Sequence, residues 1–285
     1  VKGFKMPWKC LTFVARNKPF KQLNKMPNMN YTAHAGFEKK ASFLKYIWIL
    51  LAFSAVAGLG SCRNFMGKRV RGSGNIHKEE RPVNNFKEVE VGGAAKVMVS
   101  QGDKSAVQVE ADDNLLQYIE VFQEGDKVYV REKKGFHLLP SGDINIYVTS
   151  PVYSRISASG ACDIIGQNKI SNPEDLHLEV TGAGDIKMEV DAPKLSAEVS
   201  GSGSIKLKGQ TKDVDLELTG AGHAYCYDLL AENTKVDISG AGSAEVYASV
   251  KLDAQVSGAG NVSYKGNATD VNQHVSGAGS VKKVN

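Results

Sequence analysis

From residue 176 onward, apolar and polar side chains alternate with period two in short runs, each ended by a glycine-rich triplet. The triplet sits in the motifs SGACDI, TGAGDI, SGSGSI, TGAGHA, SGAGSA, SGAGNV and SGAGSV, whose first glycines are residues 160, 182, 201, 220, 240, 258 and 277. Their spacings are 22, 19, 19, 20, 18 and 19 residues, a fixed period that marks a repeat architecture. Two residues before the glycine stand Val180, Val199, Leu218, Ile238, Val256 and Val275. Three before stand Glu179, Glu198, Glu217, Asp237, Gln255 and His274. Each unit is therefore a half-buried strand, apolar on one side and polar on the other. The apolar phase resumes four residues beyond the glycine, at Ile164, Ile186, Ile205, Ala224, Ala244, Val262 and Val281.

One such unit cannot bury its own apolar side, but stacked units can, each adding about 4.8 Å along the stack. Equivalent residues then form columns, and a corner shared by every coil favours glycine, which accepts positive φ and adds no side chain toward the coil above. The expected fold is all-β: a parallel β-helix or solenoid of roughly 19-residue coils, right-handed as parallel crossovers prefer. A β-sandwich is the competing all-β arrangement, yet it would not require the same corner triplet in every unit.

The pattern extends backwards. Gly72-Ser73-Gly74-Asn75-Ile76 fits one corner and Gly93-Ala94-Ala95-Lys96-Val97 another. Between them and Gly160, roughly residues 100–155, lies an insertion with β-meander character: SAVQVEA, IEVFQEGDKVYVRE around a Gly-Asp turn, and DINIYVTS, with one helical turn possible between Asp112 and Tyr118. It is expected to cap or flank the solenoid, whose end coils need protection from edge-to-edge association. The stretch GSGNI…ERPVNNFKEVEVGG followed by serial SGAG turns resembles the head GIN domain family of auto-transporter adhesins, over about residues 72–280. The resemblance implies a right-handed parallel β-helix, a bacterial envelope lipoprotein and an adhesive role, and it brings no catalytic residues.

The N-terminal region reads as an address. Residues 46–60, YIWILLAFSAVAGLG, follow Lys39, Lys40 and Lys45, giving the basic and apolar segments of a secretory signal that is too short to span a bilayer as a helix. Its end, Leu59-Gly60-Ser61-Cys62, resembles the lipobox of bacterial lipoproteins, which implies that Cys62 carries diacylglycerol. The expected organisation is thus an extension and signal over 1–61, a tether over 62–71 and the repeat domain over 72–285. Residues 1–28 would make the signal unusually long, and a start at Met29 would give an ordinary one. Basic residues after the cysteine (Arg63, Lys68, Arg69, Arg71) favour the periplasmic side of the outer membrane.

Charge then changes one inference. The whole chain carries +4, but residues 1–61 hold ten Lys/Arg and one acid, leaving 25 basic against 30 acidic residues beyond them. A net charge of −5 over residues 62–285 gives nucleic-acid binding no support. Motif chemistry is sparse as well. The third glycine of a dinucleotide fingerprint is replaced by Lys187, Lys206, Tyr225, Glu245, Ser263 or Lys282, and no P-loop, G-x-S-x-G, H-E-x-x-H or C-x-x-C occurs. No cofactor is expected. The column after the second glycine (Asp163, Asp185, Ser204, His223, Ser243, Asn261, Ser280) reads as a polar ladder closing the corner.

Three groups remain as candidates. Glu179, Glu198, Glu217 and Asp237 fall in one column at about 4.8 Å spacing, where like charges repel. Lysines such as Lys187, Lys206 and Lys235 would screen them, or a hard cation would bridge two of them; a β-helical carbohydrate-active enzyme would also draw its carboxylates from here. His223, Tyr225, Tyr227 and Tyr247 could form an outward aromatic strip for sugar rings or a protein partner, Tyr247 one coil above Tyr227. Cys162 and Cys226 stand three coils apart, about 14 Å, beyond disulfide reach. The leading expectation is a non-enzymatic, lipid-anchored envelope protein that binds glycan or protein. A β-helical carbohydrate-active enzyme and a purely structural envelope protein are the alternatives.

Overall fold

The computed structural model describes residues 67–285; the extension, the signal segment and Cys62 lie outside the described residues. Each repeat contributes one strand run before its glycine corner and one after it. The clearest are β13 (Leu176–Gly182), β14 (Asp185–Gly201), β15 (Ser204–Gly220) and β16 (His223–Gly240), followed by the pairs β17 (Ser243–Tyr247) with β18 (Lys251–Gly258), β19 (Asn261–Lys265) with β20 (Asp270–Gly277), and lastly β21 (Ser280–Lys283). All pair in parallel, each coil on the next. Val180, Val199, Leu218 and Ile238 are successive ladder partners and lie inside, none more than 2% exposed. Full burial of each such side chain contributes about 1.5–3 kcal/mol, so the aliphatic columns hold the tower together. The column ends at Val275, which is 40% exposed on β20.

The corners follow from the glycines. All seven first glycines have φ between +94° and +128°. The residue after each donates its N–H to the glycine carbonyl one coil below, as Ala183 does to Gly160 at 2.9 Å and Ser202 to Gly182 at 2.8 Å. Just beyond the corner, the polar ladder clasps coils in pairs. Ser204 donates both N–H and hydroxyl to Asp185 (2.9 and 2.6 Å), His223 Nδ1 meets the Ser243 hydroxyl at 2.7 Å, and Ser280 donates to Asn261 at 2.8 Å.

The 20-residue spacing after Gly220 has a local cause. Between β15 and β16 the register shifts after Lys206–Tyr225 and resumes at Lys208–Asp228, a β-bulge that places two residues, Cys226 and Tyr227, opposite Leu207.

The N-terminal end is built differently from the repeats. Strands β3 (Glu88–Gly93) and β4 (Lys96–Gln101) stack under β10 (Arg155–Gly160) and β11 (Asp163–Gly166), so Gly93 is a true coil corner beneath Gly160. A short strand, β12 (Ile170–Ser171), completes the coil of β11. The insertion does not flank the side of the tower. Its β7 (Lys127–Glu132) and β9 (Asn145–Ser150) continue the parallel stack beneath β3 and β4. Antiparallel β6 (Ile119–Glu124) then covers β7, antiparallel β5 (Ala106–Asp112) covers β9, and β2 (Ile76–Arg81) lies outside β5. A 3-10 turn at Leu116–Tyr118 connects β5 to β6. The end is thereby covered through antiparallel pairing, with β6 outermost over β7 and β2, which again runs with the coils, outermost over β5.

Two expectations are corrected here. Gly72–Ile76 is not a coil corner: Gly72 lies outside the left-handed region, Ile76 opens the antiparallel β2 and is 52% exposed. This segment hooks the chain onto Asp112, whose buried carboxylate accepts the Gly74 N–H at 2.7 Å and the Ser141 hydroxyl and N–H at 2.6 and 2.9 Å. A Cβ at Gly72 would overlap that carboxylate. Lys68–Arg71, assigned to the tether by sequence, form β1 and pair in parallel with β8 (Phe136–Leu139), so these four residues belong to the folded body.

Candidate functional site

Glu179, Glu198, Glu217 and Asp237 are ladder partners on four consecutive coils, all on the run before the corner. Of the three lysines expected to screen them, only Lys235 does so. Glu179 is held by Arg155 at 3.1 Å and by the Ser157 hydroxyl at 3.3 Å. Asp237 meets Lys235 at 2.6 Å, and the Asp237 carboxylate, followed by Asp215, holds that ammonium above its usual range. Lys187 and Lys206 do not serve this column, because they follow the corner and project from the next strand run. Among the described residues no ion pair holds Glu198 or Glu217. No group of three or more His, Cys, Asp or Glu side chains among the described residues is placed to hold a metal ion. A shallow cleft beside Glu217 and Asp237 is otherwise lined by Gln255, His274 and corner hydroxyls.

Beyond the corner a second wall carries the tyrosines. One outward column runs Met98, Ile165, Lys187, Lys206, Tyr225, Glu245. Tyr225 is 41% exposed, and its ring lies 6.1 Å from the half-buried His223 imidazole. Cys226 between Tyr225 and Tyr227 is buried, so the two tyrosines share the outer side of β16. Tyr247 does not pair with Tyr227. The ladder from β16 to β17 stops at Tyr225–Glu245, the bulge having taken the rest out of step, and the partner of Tyr247 is Lys265. The Lys265 ammonium in turn lies 4.7 Å from the Tyr227 ring centroid, a cation–π contact. His223 is committed to the Ser243 hydroxyl, so it acts within the corner ladder as well as beside Tyr225.

Sequence reasoning missed two features. Ile165 joins Tyr225, Lys187 and Lys206 in one column, lining a hollow of about 360 Å³; aligning the positions five residues past each glycine would have found it. At the closed end, Phe122 and Tyr129 stack with centroids 4.9 Å apart and planes 8° from parallel, with Arg131 over Phe122 and Lys127 over Tyr129. The signal was their outward phase on a two-strand hairpin. Cys162 and Cys226 are both free and buried, and burial pushes the Cys226 thiol up to about 12. Cys162 takes the second glycine's place in its corner, while Cys226 lies in the bulge.

A stack of parallel coils with a continuous aliphatic interior and patterned outer walls defines a repeat-built β-solenoid. The chain belongs to the family described as "putative auto-transporter adhesin, head GIN domain", whose model matches residues 85–268. Solved structures share the architecture. A protein of Bacteroides fragilis NCTC 9343 described as a putative adhesin superposes with TM-score 0.73 at 24% identity, over 75% of this chain and 100% of that one. A Parabacteroides distasonis ATCC 8503 protein described as a putative lipid binding protein gives 0.66 at 23%, over 76% and 100%. A putative adhesin of Parabacteroides merdae ATCC 43184 gives 0.62 at 21%, over 76% and 100%. At these identities the likeness concerns the fold alone. No curated protein sequence matches the chain.

Proposed function

We propose that the protein is a non-enzymatic component of the bacterial cell envelope, anchored in the outer membrane by lipid on Cys62, whose solenoid wall binds glycan or protein. The observation that carries the reading is the exposed Tyr225 ring, set beside His223 and Tyr227 on a rigid sheet above a hollow. An amphipathic ring held by a strand ladder offers contact area at little entropic cost. Membership of a family described as adhesins supports a binding role at the envelope. Two acyl chains would bury enough methylenes for stable anchoring, at about 0.8 kcal/mol for each.

A glycan array probed with the full chain, and then with Tyr225→Ala, tests the binding half. Retention of a glycan without product formation, weakened roughly tenfold or more by the substitution, supports it. Turnover of a bound polysaccharide that disappears in Glu198→Gln or Glu217→Gln would instead establish the carbohydrate-active enzyme. An absence of any Tyr225-dependent ligand would leave a structural envelope protein. Radiolabelled fatty acid incorporated by the wild type and not by Cys62→Ser tests the anchor.

A further inference from the structure

We infer that the hollow below Tyr225 recognises an acidic sugar, its anionic group held by Lys187 and Lys206 and its ring laid against Tyr225. This rests on the binding role proposed above and specifies its ligand.

Lys187 and Lys206 are direct ladder partners on adjacent coils, so their backbones lie about 4.8 Å apart, where like charges destabilise a sheet. Two other lysines, lining a second and larger hollow, are neutralised: Lys208 by Glu189 at 2.7 Å and Lys169 by Asp191 at 2.6 Å. Among the described residues Lys187 and Lys206 make no ion pair. The fold thus sets two lysines without an ion pair on adjacent coils of one column. Two hollows, of about 360 and 410 Å³, share Ile165, Lys187 and Lys206 as their common lining. Asp163 and Asp185 edge the smaller one and Glu189 and Asp228 the larger; the Asp185 carboxylate is engaged by Ser204 and that of Glu189 by Lys208. Selectivity accordingly comes from where the two ammoniums stand, since the repeat domain as a whole is acidic. Along the column an apolar side chain, two cations and an aromatic ring follow in order, at one coil per step. That sequence matches a saccharide with a hydrophobic ring face and a carboxylate, sulfate or phosphate on its edge. Charge-assisted contacts from ammonium to such an oxyanion are about twice as strong as neutral hydrogen bonds.

The test compares an oligogalacturonate with its methyl ester, which keeps the ring and loses the charge, by titration calorimetry on the full chain. Expected are at least tenfold weaker binding of the ester, a similar loss of acid binding in the double variant Lys187→Gln/Lys206→Gln, and weakening as salt rises. Melting curves of the variant, unchanged from wild type, show that it folds. Equal affinity for acid and ester, indifference of acid binding to the lysine pair, or no binding of the acid overturns the inference. If a neutral glycan or a protein still binds through Tyr225, the proposed function survives that failure; if neither binds through Tyr225, both fall. Vesicles of phosphatidylglycerol provide the remaining arm. Lysine-dependent binding to them without any to the oligogalacturonate would move the anion from sugar to lipid and overturn the carbohydrate assignment.

Discussion

Gly182 lies directly over Gly160, its ladder partner one coil below, and a Cβ on Gly182 would run into the Gly160 carbonyl oxygen. That same oxygen accepts the Ala183 N–H at 2.9 Å, so it cannot retreat without breaking the corner's own hydrogen bond. Gly182→Ala is expected to destabilise the protein by about 1–3 kcal/mol from the positive φ alone, and more as the coils part. Ala183→Ser, one residue on, should be nearly neutral, because the exposed Ser202 already occupies that position in the next coil. Denaturant midpoints of the two variants check the contrast.

Within the tower, Leu218 packs between Val199 and Ile238 on the neighbouring coils. Leu218→Ala should cost about 2–5 kcal/mol, the range for a leucine cavity that cannot collapse. Since stacked repeats interact mainly with their neighbours, amide exchange should rise most in the coils on either side and least at the N-terminal end.

Asp112 should make stability depend on acid. The Ser141 hydroxyl, with the Ser141 and Gly74 amides, holds its carboxyl below the usual aspartate range. A depressed folded pKa means that the contribution is fully present above the unfolded value, about 3.9, and is lost as pH falls through it toward the folded one. Asp112→Ala should lower stability near neutrality by about 1.5–3 kcal/mol, the worth of hydrogen bonds to a charged group, and flatten the acid limb of the stability profile. Thermal melts from pH 7 to pH 3, wild type against variant, measure both.

The cysteines offer a probe of the bulge. In a Cys10→Ser/Cys62→Ser background, Cys162 and Cys226 should react with a thiol reagent at pH 8 only on global unfolding, since both are buried and burial raises both thiols. Fast labelling of Cys226 in the native protein would show that the bulge opens locally.

What could be read from sequence and what could not divides along one physical line. Columns such as Val180–Val199–Leu218–Ile238 were legible because the glycine corner repeats and fixes the register of every coil. Where that corner is missing, period-two alternation tells which side faces inward and says nothing about the partner strand. Hence β7 and β9 were recognisable as strands, but not as the layer beneath β3 and β4. Gly72 carries the right local motif, yet its contact is Asp112, forty residues on. Lys187 and Lys206 were set against the wrong carboxylates because a corner separates five residues after the glycine from three before it. The extra residue near Tyr227 was visible in the 20-residue spacing. Its position at Cys226–Tyr227, which takes Tyr247 out of step, was not.

The closed end has a consequence for how the molecule can be made. Its strands β2 to β9 all precede residue 151, although in space β7 and β9 lie below β3 and β4. A chain delivered N-terminus first through a secretion pore can therefore finish this foundation before any later repeat emerges. Under the export proposed above, each newly emerging segment would meet a completed parallel edge and add to it in register, a templated, one-directional order in which the long-range pairings that slow many β proteins are met one at a time.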